Sequence, residues 1–247
     1  MKTFLKSITP VPVKRLIKEI LYPNVVRKNL FDTGKHLYSL GFRPSTVIDV
    51  GAASGTSDLI NAFPESKFLL IEPLSEHKES LKSLGGTHDV EVVIGAASDT
   101  NGNISLNVHP HHLDGSSLLC EEMGEHTDGF RREVPCFRID NLFEQKALKG
   151  PVYLKIDVQG AELMVLNGCT DILPHIEAVV MEVSLFRFMK GGAVFHEVID
   201  YMKNIGFVAY DIIHGWYRPL DKALGQVDIV FVKEDGFLRV DHRYDNR

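Results

Sequence analysis

The stretch TVIDVGAASG, residues 46–55, joins a run of β-branched and aliphatic side chains to a turn of small residues. Residues 46–50 have the composition of a strand, and residues 56–63 beyond the turn have helical spacing. Small residues let backbone N–H groups approach a ligand closely, and the start of a helix favours negative charge. We therefore expect a strand, a ligand-binding turn and a helix, which together open an α/β sheet.

The same alternation of strand and helix continues along the chain. Further strands are predicted at 67–71, 90–94, 152–156 and 178–183, and further helices at 75–84, 161–166 and 193–204. Strands at 207–213 and 227–232 follow without a helix between them, so they should be antiparallel neighbours. Gly102 with residues 104–108, and residues 133–138, predict a β-hairpin inserted after the third strand.

These elements predict an α/β fold with a mostly parallel sheet in a single domain over residues 41–247. An N-terminal helical extension over residues 1–40, with a short helix at 13–21, is expected to precede it. No internal repeat and no Pro/Ser-rich linker interrupts the chain after residue 46.

The composition is that of an ordinary globular protein, with 247 residues, 44% of them hydrophobic and 24% charged. It excludes a collagen, a disulfide scaffold and a disordered chain. The longest aliphatic or aromatic runs have four or five residues, far short of the ~20 that cross a bilayer. Three cysteines in no C-x-x-C pair indicate reduced thiols, and we expect a cytoplasmic location.

The net charge of -6 is unevenly distributed. Residues 1–36 carry eight basic and two acidic side chains, which leaves the rest of the chain at -12. A basic arm on an acidic body allows weak contact with an anionic membrane surface. A solvated helical extension is the favoured interpretation. Basic and aromatic side chains do not alternate as a nucleic-acid surface requires, so a nucleic-acid partner is not expected.

An acidic residue ends the second predicted strand, in the motif LIEP at 70–73. With the pattern D-x-G-x-x-x-G formed by Asp49, Gly51 and Gly55, Glu72 indicates an adenosyl-binding site, because a carboxylate there can accept both ribose hydroxyls. A dinucleotide fingerprint would need glycines at positions 53 and 56, which hold alanine and threonine. The pattern therefore favours S-adenosylmethionine over NAD, with a solvated strand-end acid as the alternative interpretation of Glu72.

A third cluster is YLKIDVQGAE at 153–162, where Lys155 and Asp157 alternate with apolar residues in a strand expected to be buried on both faces. The motifs IDVGAASG, IEP, GAASD, LKIDVQGAE and VVMEVS occur in that order between residues 41 and 233. In this respect the chain resembles the FkbM family of S-adenosylmethionine-dependent methyltransferases, and LKIDVQGAE is the most specific of the motifs.

The resemblance implies a class I methyltransferase sheet, a Rossmann-like sheet of seven strands with an antiparallel last strand. It also implies O-methylation of a hydroxyl on a sugar, a glycan precursor or a secondary metabolite, and thus a small-molecule or carbohydrate acceptor. Carried over by position, the donor would be bound by Asp49, Gly51, Ala52, Ser54, Gly55, Glu72, Pro73, Ala97, Ser98, Asp99, Asp157 and Gln159. One departure is Ala53, where the family turn D-V-G-A-N has asparagine.

Methyl transfer to a hydroxyl requires alignment of the acceptor oxygen and removal of its proton. Asp157 and Glu182 end adjacent predicted strands and are expected to converge on the methyl group, where either could hold the hydroxyl or act as base. The same pair could bind a divalent cation, although no metal is expected. His112 in the segment NVHPHHLDGSS, or His214, is a further candidate base. The other classes considered are a non-catalytic donor-binding protein and an NAD-dependent oxidoreductase.

Overall fold

The computed structural model describes residues 27–123 and 129–244. The helix predicted at 13–21 and most of the basic N-terminal arm lie outside the described residues. The strands are β1 Thr46–Val50, β2 Lys67–Glu72, β3 Val90–Ile94, β4 Ala96–Ala97, β5 Gly102–Val108, β6 Phe130–Phe137, β7 Val152–Ile156, β8 Ile176–Ser184, β9 Phe207–Tyr217 and β10 Leu224–Lys233. The α-helices are α1 Leu30–Ser39, α2 Ser57–Ala62, α3 Lys78–Ser83, α4 Ile139–Gln145, α5 Glu162–Asn167 and α6 Phe195–Asn204.

Seven of the strands form the main sheet, in the order β3-β2-β1-β7-β8-β10-β9. The first five strands of this order are parallel, and β10 runs antiparallel to both of its neighbours, β8 and β9. The prediction of a mostly parallel α/β sheet of seven strands with an antiparallel last strand is confirmed. Because the order reverses direction between β1 and β7, the carboxyl ends of these strands form a crevice.

The predicted insertion after β3 forms a second, three-stranded sheet in the order β4-β6-β5. Its strands β5 and β6 are antiparallel, as the predicted hairpin requires. The two-residue strand β4 and the helix α4 were not predicted. Helix α4 begins directly after β6, where the sequence pattern of 133–138 indicated only a strand.

The central strands β1 and β7 are buried along their whole length, because helices cover both faces of the sheet. On one face, Leu37 of α1 is completely buried in the same core cluster as Phe42 and Phe63. The described part of the predicted N-terminal extension thus packs on the sheet. Asn29 caps the start of α1, since its side-chain oxygen accepts a hydrogen bond from the Asp32 N–H at 2.9 Å.

None of the helices in residues 27–123 and 129–244 combines the length and the apolar character that a bilayer crossing needs.

Candidate active site

A cleft lies beyond the carboxyl ends of β1, β2, β7 and β8, with about 800 Å³ of empty space open to solvent. The carboxyl ends of parallel strands meet at one edge of a sheet, and ligands of such sheets bind there. The structure brings seven of the predicted site residues to this cleft: Gly51, Glu72, Pro73, Ala97, Asp157, Gln159 and Glu182. Seven others do not line it: Asp49, Ala52, Ser54, Gly55, Ser98, Asp99 and His112.

The turn after β1 depends on Gly51. Its φ is +74°, and a Cβ atom at this position would lie 1.8 Å from the Asp157 carbonyl oxygen at the end of β7. No side chain fits such a gap. The backbones of the two strand ends therefore meet directly at the floor of the cleft.

Glu72 ends β2 and is buried, with 4% of its surface exposed. Its Oε2 accepts a hydrogen bond from the Ala53 N–H at 2.8 Å, and its Oε1 accepts one from the Leu74 N–H at 2.9 Å. Burial raises the pKa of Glu72, and the two backbone hydrogen bonds oppose that rise. A carboxylate offers about four acceptor positions, so this group can accept two further hydrogen bonds from a ligand.

Lys155, near the end of β7, joins the turn to the strand. Its Nζ lies 3.0 Å from Asp49 Oδ1 and 3.5 Å from Asp157 Oδ2, and it donates to the Gly51 carbonyl at 3.1 Å. Burial alone would lower the pKa of Lys155, but the two carboxylates raise it above the ordinary value. The ammonium therefore stays charged and neutralises Asp49, which lies beneath the turn with 1% of its surface exposed.

Gln159 links the two acids that the sequence assigned to the reaction. Its Nε2 donates to Asp157 Oδ1 at 3.2 Å and to Glu182 Oε2 at 3.1 Å. Its φ of +54° is rare for a residue with a side chain. Burial raises the pKa of Glu182 well above its ordinary value, and the neighbouring carboxylates, Asp157 first among them, raise it further.

Gln226 on β10 is a site residue that sequence reasoning missed. Its Nε2 donates to Glu182 Oε2 at 2.6 Å. Only the antiparallel register brings the two together, since it places Gln226 opposite Ser184 and Asp228 opposite Glu182. The predicted antiparallel pairing of the last two strands joined β9 to β10 and did not indicate this contact with β8.

The inserted segment closes one side of the cleft with Leu113, Ser116, Ser117 and Leu118. The Ser117 hydroxyl donates to the Gln159 carbonyl at 2.7 Å and so ties the insertion to the end of β7. His77, also missed, lines the cleft from the turn after β2, and its Nε2 lies 3.8 Å from Asp114 Oδ1. The cleft thus has walls from both sheets.

The predicted base His112 is exposed and precedes the short 3-10 helix Leu113–Gly115. Of the other histidines in that segment, His109 has its Nε2 3.6 Å from Glu121 Oε1. In residues 27–123 and 129–244, no group of three or more His, Cys, Asp or Glu side chains has the geometry of a metal site.

The residues expected at the adenine end divide between the cleft and the interior. Ala97 lines the cleft together with Gly95 and Ala96. Ser98 is fully buried, and its N–H donates to the Phe137 carbonyl at 3.0 Å. Its hydroxyl donates to Asp99 Oδ1 at 3.2 Å, so both polar side chains serve the junction with the second sheet.

Several solved structures share the fold at low identity, whereas no curated protein matches the sequence. The 1,6-didemethyltoxoflavin-N1-methyltransferase of Burkholderia thailandensis, solved with 1,6-didemethyltoxoflavin and S-adenosylhomocysteine, is 11% identical over 90% of this chain and 87% of that one, with a TM-score of 0.46. Fibrillarin of Aeropyrum pernix, solved with S-adenosylmethionine, is 11% identical over 87% and 74%, with a TM-score of 0.43. An rRNA methylase of Streptococcus thermophilus is 11% identical over 81% and 93%, with a TM-score of 0.44. Scores this low carry no information about the substrate of this chain.

The sequence itself matches a family model. The model of the methyltransferase FkbM domain matches residues 49–209, about two thirds of the chain. The matched region begins at Asp49 in the first strand and includes Glu72, Asp157 and Glu182. The chain therefore belongs to the FkbM family of methyltransferases.

Proposed function

We propose that this methyltransferase transfers a methyl group from S-adenosylmethionine to a hydroxyl of a small molecule or carbohydrate. The observation that carries the proposal is the arrangement of carboxylates around one cleft. Glu72 lies at one side of it, and the pair Asp157 and Glu182, bridged by the Gln159 amide, lies at another.

The residues present suit the adenosyl donor. Glu72 keeps two acceptor positions free for ribose hydroxyls, and Gly51 allows backbone approach at the floor of the cleft. The small residues Gly95, Ala96 and Ala97, beside Leu118, offer an apolar surface to a base. When bound, the donor supplies an electrophilic methyl group on a sulfonium.

The acid pair would then serve the acceptor. A general base must lie within hydrogen-bond reach of the proton that it removes, and its pKa should lie near the working pH. Glu182 meets the second condition, because burial and the carboxylate of Asp157 raise its pKa to about 8. Asp157, whose side chain pairs with Lys155, is the better candidate for holding the hydroxyl in place. His112, exposed and outside the cleft, is given no part in this proposal.

Two measurements test the proposal in sequence. Calorimetry with S-adenosylhomocysteine should show binding, whereas NAD, the ligand of an oxidoreductase on a related sheet, should not bind. Transfer of a labelled methyl group from S-adenosylmethionine to a panel of sugars and hydroxylated small molecules then tests the acceptor class. If the protein binds NAD but does not bind S-adenosylhomocysteine, the donor assignment is wrong. Donor binding with label found only on amines or nucleic acid would overturn the hydroxyl assignment.

A further inference from the structure

The carboxylate of Glu182 is held asymmetrically. Two amides donate to Oε2, Gln226 at 2.6 Å and Gln159 at 3.1 Å. Oε1 accepts no hydrogen bond from any of the described residues, although Glu182 lines the cleft. The two oxygens of one side chain therefore have different surroundings.

The two amide donors take up both lone pairs of an unprotonated Oε2, so a proton on Oε2 would displace one of them. A proton on Glu182 must then reside on Oε1. In the neutral form Oε2 acts as the carbonyl oxygen, and in the ionised form Oε1 is the oxygen that can accept a proton from the cleft.

Of the two donors, Gln226 is the one dedicated to Glu182. The Gln159 amide also donates to Asp157 Oδ1, and Gln159 lies in the loop after β7. Gln226 stands on β10, hydrogen-bonded on both sides to β8 and β9, and this places its amide from a rigid element. Its bond to Oε2 is also the shorter of the two.

We infer that Gln226 is the positioning residue of Glu182. Its amide holds Oε2 and leaves Oε1 as the oxygen that takes up and releases the proton. The inference rests on the proposed function only in naming the acceptor hydroxyl as the source of that proton. It reaches a residue outside the matched family region, because β10 begins after residue 209.

Other charged groups also act on Glu182 and must stay unchanged in a test. Three carboxylates raise its pKa, namely Asp157 directly after β7, Asp228 on β10 and Glu162 on α5. Lys155 and His214 act in turn on Asp228. A change at Gln226 removes no charge from this set. A shift in the titration of Glu182 would therefore report the lost hydrogen bond.

The test is a carbon-detected NMR titration of the glutamate carboxyl groups in the full chain without ligand, with the Glu182 signal assigned by its loss in Glu182→Gln. In Gln226→Leu we expect the apparent midpoint of Glu182 to rise by about one pH unit, because an amide hydrogen bond favours the ionised form. Gln226→Asn, whose amide is one methylene shorter, should shift it in the same direction. Gln145→Leu, an exposed change on α4, is the matched control and should leave the midpoint at its native value.

An unchanged Glu182 midpoint in both Gln226 variants, with native melting temperatures, would overturn the inference. If the leucine variant does not fold, the asparagine variant decides. Because no donor or acceptor is present, the result is independent of the binding experiments above. Failure to bind S-adenosylhomocysteine would defeat the proposed function and leave the titration result standing.

Discussion

The Lys155 ammonium lies 3.0 Å from Asp49 Oδ1, and each residue is directly opposite the other on the neighbouring strands β1 and β7. The pair is buried at the point where the sheet order reverses, so one ion pair holds together the two strand ends that form the floor of the cleft. A buried carboxylate left without its partner is costly, and this makes Lys155 the structural support of the turn.

Replacing Lys155 by methionine should therefore destabilise the protein by about 3–5 kcal/mol, because Asp49 would stay buried without a counter-ion. Urea unfolding followed by circular dichroism measures the loss. Lys82→Met is the matched control: its exposed pair with Glu79, at 3.5 Å, should contribute less than about 0.5 kcal/mol. A loss for Lys155→Met no larger than that of the control would show that Asp49 does not depend on the ammonium.

Glu72→Gln should weaken the binding of S-adenosylhomocysteine by at least about 10-fold, because a charged acceptor for the ribose hydroxyls is replaced by an amide. Isothermal calorimetry provides the affinity. Glu76→Gln, an exposed change in the next turn at a residue that pairs with Arg132, should bind like the native protein. Equal affinity in the native and Glu72→Gln proteins would remove the ribose contact from the proposal.

Glu162 should make the stability depend on pH. Its burial raises the pKa to about 7 from 4.5. Since the native pKa lies above that of the unfolded chain, the native state binds more protons between these two values. The stability that Glu162 contributes is thus fully present below about pH 4.5 and is lost as the pH rises through about 7.

Glu162→Gln removes this titration and keeps an oxygen that can accept the hydrogen bond from the Gly160 N–H. Its free energy of unfolding should exceed the native value by up to about 3 kcal/mol at pH 8 and lose that advantage at pH 4. Glu144→Gln, exposed on α4, should show no such trend. Denaturant unfolding at several pH values measures the free energy of unfolding of both variants. If this free energy changes with pH in the same way for Glu162→Gln and the native protein, Glu162 is not the group that titrates.

Gly51→Ala separates the effect of backbone conformation from that of crowding. Gly41 also has a positive φ, +97°, but a Cβ atom there meets nothing within 4 Å. Gly41→Ala should then lower the free energy of unfolding by only about 1–2 kcal/mol, which is the strain of the left-handed conformation. Gly51→Ala adds a clash with the Asp157 carbonyl oxygen, so its melting temperature should fall well below that of Gly41→Ala. Similar losses in the two variants would mean that the strand ends can separate.

Most of the fold was predictable from residue patterns. Short β-branched runs such as 46–50 and 152–156, separated by helical stretches, specify parallel strands, because each strand must be buried on both faces by its helices. The helix α4 was not predicted, because seven residues directly after a strand carry too little periodicity to reveal a second element.

The candidate site was predictable where it follows from strand ends. Asp157 and Glu182 were expected to converge because they end adjacent predicted strands, and both line the cleft. His112 was a candidate because an imidazole needs little pKa shift to act near neutral pH and its loop was expected over the mouth of the site, but the residue is exposed and does not line the cleft. Gln226 and His77 carried no local signal of their own.

The order of elements, the glycine turn and the acids at the strand ends follow from residue patterns, since these features depend on neighbours along the chain. The side-chain contacts between distant strands, in contrast, are known only from the folded structure. The contact between Gln226 and Glu182 spans 44 positions, and that between Lys155 and Asp49 more than 100. Such contacts follow from sheet register and packing, where a shift of one residue would turn each side chain to the opposite face.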